Sequence, residues 1–336
     1  MAISLCNALA LVTLLQAPPQ PPPPVAPTDS LATLRGRATQ DSTDAQLWLL
    51  MGRAYLGLGA EAHGATHRSS EDSVWTRAVL DTAEEALTRA AALAGPLGSS
   101  TVGDSARVLR VGAWAVRSWR GWESGGVDAG VEAWGPLPMD LRVPPVLDEL
   151  GENLLRACPT GGVLLTAGDA DFYAAWYMRF ARGLRPDLLV VPLAAWRSDP
   201  VLRARLVADL KLGRPRGGGR GGRGGRGGRG DDAGLGELVG RRPVCVSMAF
   251  ERPPETRPRI RWETRPLVWV AGPEGKSPRV PPRDFVFGAL RVALDGNDPW
   301  AEPALAAYTR AARITPALCE AMATFRVAAD VPTCRK

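Results

Sequence analysis

The 336-residue chain predicts an α/β fold, α+β overall, in which N-terminal helical hairpins pack on a small domain built around one parallel βαβ unit. Three observations carry that expectation. Apolar runs at residues 163–165 and 188–191, bounded by glycine or proline, have the length and composition of buried strands. The aromatic, Ala-rich stretch 172–180 between them reads as a crossover helix that Gly183 stops. Upstream, from 45 to 133, apolar residues recur at helical spacing, and a hydrophobic content of 45% suffices for a packed core.

In chain order, residues 3–15 are apolar over a length that suits a signal-peptide core. A leader over 1–17 is therefore expected, with export to the periplasm or cell envelope. No Lys or Arg precedes the apolar run and Pro18 follows Ala17, so a cytoplasmic location stands if that leader is not a signal. Residues 18–43 read as a Pro-rich spacer that favours polyproline II geometry. No run approaches the roughly 20 apolar residues of a transmembrane helix.

A helix is expected over 45–59 and its partner over 76–93, with a polar insert 60–73 between them. Trp48, Met51 and Tyr55 would fill the gap between the two, Gly52 would let them approach, and Ala83, Leu87 and Ala90 would form the facing surface. A second pair follows at 104–120 and 127–133, completing a helical region over 44–138. The spacing of Trp48, Met51, Gly52 and Tyr55 resembles the first helix of a tetratricopeptide repeat, which implies a module that binds protein partners. Two repeats are fewer than the three or so that a free-standing solenoid needs, so a helix at 146–157 and the α/β domain are the expected support.

The α/β domain is expected over 139–272, with further helices at 200–212 and 235–239 and strands at 244–248 and 267–271. An Arg-Gly-Gly tract at 213–230 interrupts it and reads as a linker. A C-terminal linker and helices at 303–312 and 316–329 close the chain.

Loops 166–171 and 192–199 follow the two parallel strands, at the sheet edge where open α/β sheets bind ligands. Thr166, Gly168, Asp169 and Asp171 on the first, and Trp196, Arg197 and Asp199 on the second, are the candidate binding residues. Asp169 and Asp171 are close enough to hold Mg²⁺ or Mn²⁺ against phosphate oxygens, and no other cofactor is implied. The plainer alternative is that Asp169 holds the turn and Asp171 caps the helix. Arg179, Arg182 and Arg185 lie near the end of the crossover helix, where cations complement its dipole. His63 and His67 are four apart but sit among Gly, Ser and Glu, and read as surface residues rather than metal ligands.

Gly168, Asp169, Asp171, Trp176, Tyr177, Gly183, Arg185, Pro186 and Asp187 resemble a segment in the soluble C-terminal region of bacterial multi-pass membrane proteins related to protein O-mannosyltransferases. Ala167 stands where that pattern has Asn. The resemblance spans 161–199 and implies an accessory or remnant domain that binds a sugar phosphate or nucleotide sugar, not the transfer itself.

The net charge of +6 rests largely on Arg216, Arg220, Arg223, Arg226 and Arg229 in the tract, which leaves the remainder nearly neutral and argues against nucleic acid as a partner. Outside the leader lie Cys158, Cys245, Cys319 and Cys334, with no metal-ligand spacing. Export would favour a Cys319–Cys334 disulfide that pins the tail; four reduced thiols, two of them in the α/β core, are the alternative.

Overall fold

Helix α2 (Ala45–Gly64) begins where Asp44 accepts hydrogen bonds from the backbone N–H of Gln46 and Leu47 at 2.9 and 3.2 Å. In this computed structural model residues 31–64, 70–125, 127–198, 200–210, 235–256, 259–273 and 279–335 are described. The predicted leader, residues 18–30 of the Pro-rich spacer and the Arg-Gly-Gly tract lie outside them.

α2 runs antiparallel to α3 (Ser70–Leu93): a Cβ on Gly52 would lie 2.5 Å from Leu87 Cγ, and one on Gly59 2.5 Å from Leu80 Cδ2. Met51, Tyr55, Ala83, Leu87 and Ala90 are buried between the two helices, as their spacing predicts. Trp48 stays at the rim under the Arg89 guanidinium, 4.5 Å from its ring centre. Two boundaries differ from expectation. Residues 31–40, read as spacer, form α1 (Leu31–Gln40), which turns Leu34 and Ala38 into the hairpin core. The polar insert shrinks, because Ala60, Glu61 and Ala62 are good helix formers and extend α2 to Gly64.

α4 (Thr101–Gly125) has two buried faces. Leu109 and Ala113 join the hairpin core, while Val111, Trp114, Trp119 and Trp122 join the core of the α/β part. α5 (Val127–Glu132) folds back on α4, where Gly121 and Gly130 bring the two backbones together. Between α3 and α4 the buried Arg117 binds Asp81 at 2.7 Å, together with Glu84. Trp114 Nε1 donates to the same Glu84 at 2.9 Å.

After α6 (Pro145–Ala157) comes the crossover: β1 (Val163–Thr166), α7 (Asp169–Trp176) continued by a π-helical turn (Tyr177–Ala181), and β2 (Leu189–Pro192). β1 and β2 are parallel with Leu164 opposite Val190, and β3 (Val244–Ser247) is parallel on the other side with Leu164 opposite Cys245. β4 (Glu263–Arg265), which no apolar run announces, and β5 (Val268–Ala271) complete an antiparallel edge, in the order β2-β1-β3-β5-β4. The fold is thus α+β, a helical region packed on a small mixed sheet. Trp119 meets Phe172 edge-on at 5.5 Å and Trp176 donates to Ser118 Oγ at 3.2 Å, which joins α4 to α7.

The segment expected as a second loop is instead helix α8 (Leu193–Ser198), followed by α9 (Pro200–Asp209) and α10 (Leu235–Arg241). α11 (Gly288–Asp295), α12 (Ala301–Ile314) and α13 (Leu318–Thr324) share the core of the α/β part. Asn153 of α6 donates to Val286 O at 2.7 Å and to Tyr308 Oη at 3.1 Å, which fixes α12 against α6. Disulfides join Cys319 to Cys334, the predicted pair, and Cys158 to Cys245, which ties the end of α6 to β3. No helix among the described residues is long and apolar enough to cross a membrane.

Arg179 and Arg185 do more than complement a dipole. Arg179 donates to Leu188 O at 3.0 Å and to Pro186 O at 2.6 Å. Arg185 donates to Leu155 O and Cys158 O at the end of α6, and grips Asp187 with two bonds of 2.9 Å. That grip holds the Asp187 carboxyl down at about 2.

Candidate functional site: a cleft between the acidic turn and helix α12

The two aspartates of the turn have opposite environments. Asp171, at the third position of α7, reaches back so that its two oxygens accept from Ala167 N at 2.8 Å and Gly168 N at 2.9 Å. The Ser247 hydroxyl at the end of β3 donates to it as well. This is the reciprocal half of a capping box, and it leaves Asp171 2% exposed. Burial nevertheless raises its carboxyl above the usual range, with those donors acting in the opposite sense.

Asp169, two residues earlier at the first position of α7, accepts no hydrogen bond among the described residues and lines an open cleft. Burial raises its carboxyl too, partly offset by the charge of Arg53 on α2. The same burial, with Asp169 nearby, raises the Tyr173 phenol.

The cleft has a volume of about 450 Å³ and lies at the carboxyl ends of β1 and β3, within the size range of small-molecule sites. One wall is the turn from Ala167 to Asp171. The other is α12, where Pro303, Ala306, Ala307 and Arg310 recur at helical spacing and so share a face, with Trp300 just before the helix. Ala249, following β3, lies between the walls.

Arg310 Nε donates to Met248 O at 3.1 Å, which anchors the guanidinium at the end of β3. Among the described residues no carboxylate pairs with it. Trp300 Nε1 is buried and has no hydrogen-bond partner there.

Of the residues singled out in the sequence, the structure brings Gly168, Asp169 and Asp171 to the cleft. Thr166 is fully buried behind the turn, its hydroxyl without a partner among the described residues. Trp196 is not a surface residue: the turn of α8 points it with Leu193 into the core, where it is 0% exposed. Arg197 is exposed and outside the cleft lining. Asp199 and His67 lie outside the described residues, and His63 is in the last turn of α2. The proposed metal pair is not presented as two free carboxylates, since Asp171 already serves two amides and a hydroxyl. No group of three or more His, Cys, Asp or Glu among the described residues is placed to hold a metal ion.

Trp300 and Arg310 were not legible as site residues. The available signal was an arginine recurring in phase with Pro303, Ala306 and Ala307, a charge on a stripe of small residues. Comparison with known protein families, curated proteins and solved structures found no match.

Proposed function

We propose that this protein is a binding protein, whose α/β part holds a small polar ligand in the cleft between the acidic turn and α12. The observation that carries the reading is the unpaired Asp169 facing the cleft at the carboxyl ends of two parallel strands, while its neighbour Asp171 is spent on the turn. A paired-carboxylate reaction would require both acids, so the arrangement favours binding over catalysis. The ligand class implied by the resemblance, a sugar phosphate or nucleotide sugar, is the first to test. Thermal denaturation of the full chain should shift upward with the correct ligand, by an amount that grows with the logarithm of its concentration. Arms with Mg²⁺, Mn²⁺ and a chelator test for a cation at Asp169. Ala306→Trp, which fills the cleft, should abolish the shift; a shift that survives it places the ligand elsewhere.

A second reading concerns the helical region. The antiparallel α2–α3 hairpin, closed at Gly52 against Leu87, supports a tetratricopeptide-like module that docks a protein partner. Val74 and Trp75, 71% and 48% exposed at the start of α3, are its apolar contact candidates. Capture of a defined partner by the full chain and its loss in Trp75→Ser would support this; equal capture by both would count against it. Two disulfides support export to an oxidising compartment, which cell fractionation with thiol labelling tests directly.

A further inference from the structure

We propose that the cleft recognises an anionic group of its ligand, a phosphate or a carboxylate, through Arg310 and Trp300 on the α12 side, and not through a metal held by the acidic turn. The inference rests on the cleft reading above and adds which wall carries the charge.

Three observations converge. Arg310 is held by its Nε alone, on Met248 O, which leaves its outer nitrogens without a carboxylate among the described residues. An arginine fixed at Nε presents the remaining edge of its planar fork, which fits two oxygens of one anion. Trp300 lines the same cleft, and its indole N–H is buried with no acceptor among the described residues, so a shift of the ring that brings this donor to the cleft surface would let an acceptor atom of the ligand satisfy it. The opposite wall excludes the reverse orientation. Asp169 carries the only unspent carboxylate of the turn, and a second anion placed against it would be repelled. It can accept from a hydroxyl or an ammonium instead.

The ligand is therefore polarised: an acidic end toward Arg310 and a hydrogen-bond-donating end toward Asp169, with Pro303, Ala306 and Ala307 as an apolar floor. The helix-start amides of Asp169 and Ala170 have no intrahelical acceptor by position and border the same space, which adds donors without being required.

Calorimetric titration of the full chain with inorganic phosphate and with acetate, at an ionic strength held constant with sodium chloride, tests the inference. Glycerol serves as the neutral probe. Saturable binding of phosphate indicates a phosphorylated ligand, and saturable binding of acetate alone a carboxylic one; either supports the proposal. Arg310→Gln should weaken that binding by about tenfold or more. Since Arg310→Gln also removes the bond to Met248 O, Trp300→Phe, which keeps it, is the second variant and should weaken binding by roughly threefold to tenfold. Asp169→Asn, which removes a negative charge from the facing wall, should tighten anion binding. Anion binding that is equal in both α12 variants, or that needs Mg²⁺ and is lost in Asp169→Asn, overturns the proposal. Glycerol binding that Ala306→Trp abolishes, with no anion binding, overturns it while leaving the cleft reading intact; no binding of any probe or of the sugar-phosphate panel removes both.

Discussion

At the α2–α3 crossing of the helical region and at the α6–α7 crossing of the α/β part, helices meet at a glycine, but what the glycine faces differs. A Cβ on Gly52 would meet the side chain of Leu87 at 2.5 Å, whereas one on Gly151 of α6 would meet the carbonyl oxygen of Ala174 in α7 at 2.4 Å. A leucine can change rotamer, while a helix backbone moves only with everything attached to it. Here α7 carries the acidic turn at its start and the packed aromatics Phe172 and Trp176 along its length. The α2–α3 contact sets a glycine against a buried side chain, and the α6–α7 contact sets one against a helix backbone.

Gly151→Ala should be the more damaging change of the two, costing about 3 kcal/mol or more because the clash is with backbone; its urea midpoint measures this. Asp171→Ala comes next, at about 2 kcal/mol, since it removes the shared acceptor of the part-buried amides of Ala167 and Gly168. Gly52→Ala should cost about 1–2 kcal/mol, since the gain in helix propensity offsets only part of the displacement of the fully buried Leu87. If Gly52→Ala proves as costly as Gly151→Ala, the distinction between the two crossings fails. Asp169→Ala should change stability least of these, by roughly 0.5 kcal/mol or less, because no hydrogen bond is lost. A large loss there would mean that Asp169 is structural and the cleft has no free carboxylate.

The finest test is a pH profile. Glu149 of α6 caps α11 by accepting from Ala289 N at 2.8 Å and Leu290 N at 3.0 Å, yet burial pushes its carboxyl up from 4.5 to about 7. The folded chain then holds more protons than the unfolded one between those values. The corresponding stability is fully present below 4.5 and is lost as pH rises through about 7. Melting temperature measured across this window should decline less in Glu149→Gln than in wild type.

Much of this architecture was readable beforehand. The strand–helix–strand run, the buried face of 76–93 and the Cys319–Cys334 pair all follow from local spacing or local chemistry. β4 was not readable, since Glu263, Thr264 and Arg265 are a strand only because β5 offers an edge to pair with. Trp196 misled for a related reason: a short helix, not a loop, follows β2, and three residues of helical turn take Trp196 from the surface to the core. At the site, the turn was found and its two acids were named, but their roles were not separable, because sequence spacing allows either one to face inward.

By itself the sequence determined where chain segments are apolar and with what period, and hence which become helices, which become strands, and where the acidic turn must fall. Only the tertiary structure decided that Ser247 and two amides take Asp171, that Asp169 is left to the cleft, and that a helix distant along the chain brings Trp300 and Arg310 to face it. Periodicity records that one face of an element is buried, whereas the identity of what covers it depends on long-range packing that no local pattern encodes.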